Sequence, residues 1–246
     1  MPPSDAPADG GAADGDAAGG DAQGTLAEQL FRRLTEAILQ GELPLGSKIN
    51  EPLLARRYGV SRGPLREALH RLQERHLITR SANHGARVVE ATPGMLASIF
   101  AVREVLEGLA AREAARRMTA EEVAGLGGVV ARHEAELADP RPGQHNALGA
   151  ADQDFHFRIA QASANPLLVA LLCEELYPLL RLYRSRRDNP ALRARALVEH
   201  RRILAAIEDR DAELAELLMR RHVASAGRRR AEALADGEGG PGSTRV

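Results

Sequence analysis

Apolar positions recur every three to four residues along most of the chain, the period of helices with one buried face. TLAEQLFRRLTEAILQGEL sets Leu26, Leu30, Leu34 and Ile38 on one stripe, with Leu39 beside it. Thr25, followed three residues later by Glu28, is a capping-box pair, and Gly41 stops the helix. Asn50 or Glu51 opens a short helix over 52–58, and Gly59 supplies the turn after it. Ser61 is a good N-cap for a third helix, with Pro64 in the first turn, where its missing N–H costs nothing. Leu65, Leu69 and Leu72 form its inward stripe. In LITRSANHGARVVEA the period shortens to two, which predicts strands over 77–80 and 86–89 joined by the polar loop 81–85. Helix, helix, glycine turn, helix and hairpin is the order of a winged helix-turn-helix, here over 25–92.

Beyond residue 92 no strand pattern appears, and capping residues punctuate the chain. Thr92-Pro93, Asn165-Pro166 and Asn189-Pro190 each place a cap before a proline, Thr119 with Glu122 forms another capping box, and Asp211 is a further cap. Helices are predicted over 93–117, 119–138, 146–164, 166–185, 190–209 and 211–234. The fold class is therefore mainly α: an N-terminal winged helix-turn-helix followed by an all-α antiparallel six-helix bundle over 93–234. Residues 1–24 are Ala-, Gly- and Pro-rich with five Asp and no base, and 235–246 are Gly-rich; both read as tails that cannot bury a core.

The formal net charge of -1 over 246 residues hides an uneven distribution. Residues 25–92 carry eleven bases against seven Glu, whereas 93–246 carry 22 of each sign. All bases but Lys48 are Arg. With four Phe, three Tyr and no Trp, binding of nucleic acid by stacking on aromatic platforms is excluded. The one cysteine, Cys173, excludes an intrachain disulfide and a Cys-rich zinc module, and its apolar surroundings make it a small hydrophobe. No run approaches the ~18 apolar residues of a membrane span, and no secretory leader is seen, so a soluble cytoplasmic protein with no membrane partner is expected.

The third helix projects Arg62 and Arg66, four apart, from its first turn. Such a helix suits the major groove of double-stranded DNA, where Arg donates two hydrogen bonds to guanine, while the hairpin tip with Arg80, Asn83, His84, Gly85 and Arg87 suits the minor groove or backbone. The plain alternative is a solvated charged face. In the bundle, Asp152 and His156 share one helix face, and His200 and His222 lie on the apolar stripes of two other helices. These polar groups are costly to bury unless satisfied. Each His can bond a carbonyl, or one divalent metal can take all four groups; neutral imidazoles with one carboxylate suit zinc, nickel, iron or manganese. His70, His76, His133 and His145 lack such company and are expected at the surface.

Residues 30–90 resemble the GntR-family DNA-binding domain, with SRGPLREAL as the most specific match. The resemblance implies base and phosphate contacts from Arg62 and Arg66, backbone approach at Ser61 and Gly63, and a wing tip at His84 and Gly85. His76 stands where that family commonly has Gly, and Pro52 where a DNA-contacting base sometimes stands. IFAVREVLEGLAAREAA, ADQDFHFRIAQASANPLL and EHRRILAAIEDRDAELAELLMRRHV resemble the FCD effector-binding domain of the FadR subfamily, in its six-helix, VanR-like form. That resemblance implies a metal, zinc foremost, on Asp152, His156, His200 and His222. It also implies an effector-facing Arg103, whose plain reading is a pair with Glu107.

The expected function is a transcriptional regulator, with repression the usual sign. It would act as a homodimer on a palindromic operator and be modulated by a metal and a small carboxylate effector. A metalloenzyme, or a structural metal in a dimerising module, are the alternatives. Against an enzyme, Glu104 and Asp154 are the only nearby general-base candidates, and Asp154 is expected to pair with Arg158.

Overall fold

The computed structural model describes residues 24–81, 85–90, 92–138, 148–182 and 190–235; the side chains of 148–153, 190 and 233–235 are outside that description. The expected tails, His84 at the wing tip and His145 lie outside the described residues. α1 (Leu26–Leu39), α2 (Glu51–Tyr58) and α3 (Arg62–Glu74) precede an antiparallel hairpin of β1 (Ile78–Ser81) and β2 (Gly85–Val88), paired Ile78 to Val88 and Ser81 to Gly85. A bridge between Lys48 and Arg87 ties the segment before α2 to β2. Leu30, Leu34, Leu65, Leu69 and Leu72 are all at most 2 % exposed and fuse α1 and α3. Each contributes about 1.5–3 kcal/mol of burial.

The caps work largely as the sequence implies. Thr25 Oγ1 accepts from Glu28 N–H, and Asn50 Oδ1 from Leu53 N–H. Three local expectations change. Leu26 is exposed, because the buried stripe of α1 starts at Ala27 and Leu30. Glu28 does not close a capping box; its carboxylate pairs with Arg71 on α3 instead. Ser61 occupies the N-cap of α3 but makes no side-chain cap hydrogen bond. His76 has φ +56°, the left-handed conformation a glycine would adopt without strain, and it turns the chain from α3 into the wing.

The second half holds α4 (Pro93–Arg117), α5 (Ala120–Ala138), α6 (Leu148–Ala162), α7 (Pro166–Val169), α8 (Tyr177–Arg181), α9 (Pro190–Glu208) and α10 (Ala212–Ala235). The expected single helix over 166–185 is not continuous. Ala170–Leu176 winds as a π-helix between α7 and α8. Pro178 lies just beyond it and has no N–H to return to Glu174, a local cause for the departure from α winding. The six-helix count is thus approximate.

α4 runs along α10 as the most intimate pair, while α6 packs on α4 and α5, and α9 on α5 and α10. Two glycines set the first of these approaches. A Cβ on Gly108 would lie 2.5 Å from Arg220 Cγ, and one on Gly227 would lie 2.8 Å from Phe100. Phe100 is buried, so it has little room to yield. Gly227→Leu is expected to cost about 1–3 kcal/mol through overpacking, more than the ~0.5–1 kcal/mol gained in helix propensity, read as a lower urea midpoint. An unchanged midpoint would show that α4 and α10 are not closely apposed.

Candidate functional site

Two sets of side chains need separate description, one on the N-terminal head and one inside the bundle. On the head, most cations are engaged. Arg57 pairs with Glu42, Arg71 with Glu28 and Glu67, and Arg80 with Glu51, while Arg87 donates to Gly46 O. Arg62 and Arg66 differ. Both are exposed on the first two turns of α3 and make no ion pair among the described residues, with Ser61 and Gly63 exposed beside them. Gly85, at the start of β2, has φ +75°. The face formed by the start of α3 therefore carries uncommitted guanidiniums and the N–H groups of a helix start, which together favour phosphate and guanine edges.

Inside the bundle, His156 from α6, His200 from α9 and His222 from α10 are all at most 4 % exposed. Their Nε2 atoms converge: His222 Nε2 lies 3.3 Å from His200 Nε2 and 3.2 Å from His156 Nε2. Phe155 stacks on His200 with ring centroids 4.1 Å apart, which fixes that ring from one side. The other edges of two rings meet carboxylates. His222 Nδ1 is 2.7 Å from Glu199 Oε2, and His156 Nδ1 is 2.6 Å from Glu107 Oε2, the latter close but poorly aligned for a hydrogen bond. Glu107 also accepts from Arg103 Nε at 2.6 Å through its other oxygen.

These carboxylates assign the tautomers. An oxygen anion at 2.6–2.7 Å requires the proton on Nδ1 in both rings. The Nε2 atoms of His156 and His222 therefore face each other at 3.2 Å, on the edges of the rings turned away from the carboxylates. Such a contact is satisfied by a proton shared between the two nitrogens or by a cation that both ligate. The ligand nitrogens of a tetrahedral zinc, bound at about 2.0–2.1 Å, stand roughly 3.3–3.4 Å apart, close to the observed spacings. The donor set and its outer carboxylates thus fit a divalent metal, in the arrangement where a carboxylate orients a ligating imidazole.

Burial works to raise the Glu107 carboxyl, yet the charges of Arg103 and His156 and the hydrogen bonds to both outweigh it and hold the group at about 2. Burial likewise opposes ionisation of Glu199, but His222, Arg195 and Arg229 together lower it below the usual carboxylate range. Burial, then the Glu107 carboxylate, pushes the Tyr177 hydroxyl well above its ordinary value. Cys173 is half-buried, and burial followed by Glu107 and Glu174 pushes its thiol up to about 11, in keeping with an inert hydrophobe.

Not every expected residue joins the three imidazoles. Asp152 lies on α6, one turn before His156, but its side chain is outside the described residues. Arg103 is 5 % exposed and touches Glu107, behind His156, rather than the converging nitrogens. Its guanidinium also packs 4.9 Å from the Phe100 ring and 5.4 Å from that of Tyr177. His133, expected at the surface, is buried, with its ring centroid 5.7 Å from that of His200. Its position on the inner stripe of α5 with Leu126, Val129 and Val130 carried that signal. His70 and His76 are exposed as expected. Glu104 pairs with Arg220, and Asp154 with Arg132 and Arg158, which removes both from base duty. Glu199 was not singled out by sequence reasoning; its place next to His200, on the α9 flank facing α10, was the available clue.

Head and bundle meet through Arg75, the C-cap of α3. Its guanidinium donates to Glu174 O at 2.8 Å and to Glu175 Oε1 at 2.6 Å in the π-helical segment. Arg181 adds a 3.5 Å pair with Glu36 of α1.

Comparison with known proteins agrees with both halves. Residues 26–88 match the bacterial regulatory proteins of the gntR family, and residues 98–225 match the FCD domain. The chain is 32 % identical over 206 residues, 82 % of its length and 87 % of the relative's, to the "Probable D-xylose utilization operon transcriptional repressor" of Paenarthrobacter nicotinovorans. It is 39 % identical over 126 residues to the Nta operon transcriptional regulator of Aminobacter aminovorans, covering 50 % of this chain and 57 % of that one. Its fold is similar to that of Escherichia coli McbR/YncC, with a TM-score of 0.67 at 22 % identity over 85 % of this chain and 99 % of that one. A regulator from Rhodococcus sp. RHA1 is similar at a TM-score of 0.66 and 20 % identity, over 84 % of this chain and 98 % of that one. The matched families and named relatives are transcriptional regulators, not enzymes. Among the described residues no helix is long and apolar enough to cross a membrane. With an exposed Arg pair at the start of α3 and a helical domain behind it, the chain is a DNA-binding transcriptional regulator and belongs to the GntR family, carrying an FCD domain as its second half.

Proposed function

We propose that the chain is a repressor that reads a palindromic operator as a homodimer, and that a divalent metal with a small organic-acid effector in the bundle modulates that reading. The observation that carries the metal half is the convergence of three buried Nε2 atoms, that of His222 lying 3.3 Å from His200 and 3.2 Å from His156. His156, His200 and His222 would hold the metal, with Asp152, one turn before His156 on α6, as the fourth ligand. Zinc fits the donor set first, with nickel, iron or manganese as alternatives. When bound, the metal supplies Lewis acidity and open coordination positions that a carboxylate can fill.

The chain's own residues supply the coupling. Glu107 holds His156 from behind and is shared with Arg103. A carboxylate effector would compete with Glu107 for that guanidinium, which loosens the grip on His156 and on the Tyr177 ring beside it. Since Tyr177 directly follows the π-helical segment that contacts Arg75, the same exchange reaches the head. The effector acts only through unequal affinity for the two arrangements. Val102, Val105 and Leu109 form an exposed apolar stripe on α4, which supports a second copy of the helical domain as partner. On the operator, Arg62 and Arg66, with Ser61 and Gly63, carry the major-groove face, and Gly85 with His84 the wing.

His200→Ala is expected to abolish stoichiometric zinc uptake by the full chain, measured by elemental analysis after dialysis, and with it any change of operator affinity on adding organic acids. Full zinc retention would remove His200 from the ligand set, and zinc uptake without any effector response would make the metal structural. Glu199→Gln, which keeps size but weakens the hold on His222 Nδ1, should reduce zinc affinity about 10–100-fold. Unaltered affinity would show that Glu199 does not orient the ring. On the head, Arg66→Ala should lower operator affinity and reduce the salt slope by about one unit if it meets phosphate. Arg62→Ala should cost about 1–3 kcal/mol and relax one base preference. Equal losses on operator and random DNA would deny Arg62 a base-reading role.

A further inference from the structure

A cleft of about 370 Å³ opens between α9 and α10, on the side of His222 that faces away from the converging nitrogens. Arg195 and Arg202 stand seven residues apart on α9, and Arg221 and Arg228 seven apart on α10, so each helix presents two guanidiniums two turns apart. Glu199 is the only carboxylate in the lining, and it is already shared by Arg195, Arg229 and His222. Arg202, Arg221 and Arg228 make no ion pair among the described residues. Four cations against one committed anion leave the cleft with a formal excess of three positive charges. Ser225, between the two α10 arginines, adds a hydroxyl. Elsewhere on the bundle surface arginines are matched: Arg116 and Arg117 with Glu113, Arg132 and Arg158 with Asp154.

We propose that this cleft is a binding site for a small phosphorylated metabolite, on the outer side of His222 and needing no metal among the histidines. The chemistry is that of paired guanidiniums. Each offers a planar fork that grips two oxygens of a phosphate, and arginine is weakly hydrated enough to exchange water for that contact. An excess of three charges calls for a ligand with at least two negative charges, which a phosphate dianion supplies and a monocarboxylate does not. The volume lies at the small end of ligand pockets and holds a phosphate with a short carbon body, whereas a nucleic-acid backbone prefers an open cationic track to a cleft with a carboxylate in its lining. Because Glu199 and His222 line the cleft, an anion seated there draws Arg195 away from Glu199 and alters how firmly that carboxylate holds the ring.

The test is calorimetric titration of inorganic phosphate into the full-length chain at constant ionic strength with chloride as the balancing ion. Arg62→Ala/Arg66→Ala serves as the background, so that the head does not contribute. Saturable binding of one phosphate per chain is expected, with at least a tenfold loss in Arg221→Gln/Arg228→Gln, whose exposed side chains leave the core untouched. Binding should persist in His200→Ala, which separates this site from the metal. Glycerol 3-phosphate then identifies the source: tighter binding than phosphate marks an ester as the ligand, and weaker binding marks the free ion, at the same residues in either case. Absence of saturable binding, or equal binding by Arg221→Gln/Arg228→Gln, overturns the proposal. So does a reduced salt slope for operator DNA when Arg221→Gln/Arg228→Gln is made with Arg62 and Arg66 intact, with no phosphate uptake by the parent, because the cleft would then face the DNA backbone.

Discussion

Two carboxylates placed behind imidazoles determine what the bundle can do. Glu107 and Glu199 each present an oxygen to an Nδ1 atom, and each is itself neutralised by arginine, Glu107 by Arg103 and Glu199 by Arg195 and Arg229. This arrangement makes burial of the histidines tolerable, since an unpaired charge in that interior would cost several kcal/mol. It also sets the Nδ1 edges of His156 and His222 against carboxylates, so their Nε2 atoms face inward. A core of Leu and Ala could have closed the same space at lower electrostatic cost. The polar cluster instead ties α4, α6, α9 and α10 together through Glu107, His156, His200 with Glu199, and His222.

Much of this was legible from residue order because the signals were local. Thr92, Asn165 and Thr119 announce helix starts by chemistry that needs no tertiary partner, and the described caps follow them. The identity of the three converging histidines was legible because each sat on an otherwise apolar stripe. What escaped notice depended on contacts between distant elements. Glu28 abandons its local cap for Arg71, 43 residues away. Glu199 reads as one more surface acid until α10 brings His222 against it. His133 belongs to the apolar period of α5, with Leu126, Val129 and Val130, and that period outweighs its lack of polar company. The π winding of Ala170–Leu176 was also missed, although Pro178 lay in plain view, since a proline restricts a helix without specifying how the chain accommodates it.

The two halves of the molecule are built on different principles. The head is held by a leucine core, and its arginines divide into those spent on internal pairs and those left facing outward. The bundle divides its arginines in the same way: Arg103, buried, serves the histidine cluster, while Arg202, Arg221 and Arg228 face solvent along one cleft. Composition alone gave no hint of either division, as all 32 arginines look alike until their carboxylate partners are found.

The joint at Arg75 has a mechanical consequence. Its bonds reach a carbonyl that Pro178 cannot serve and two glutamates that are 36–61 % exposed. Solvent-exposed pairs of this sort contribute about 0–1 kcal/mol each and fade with salt. These ionic ties between head and bundle therefore loosen as salt is added, while the leucine packing within each half does not.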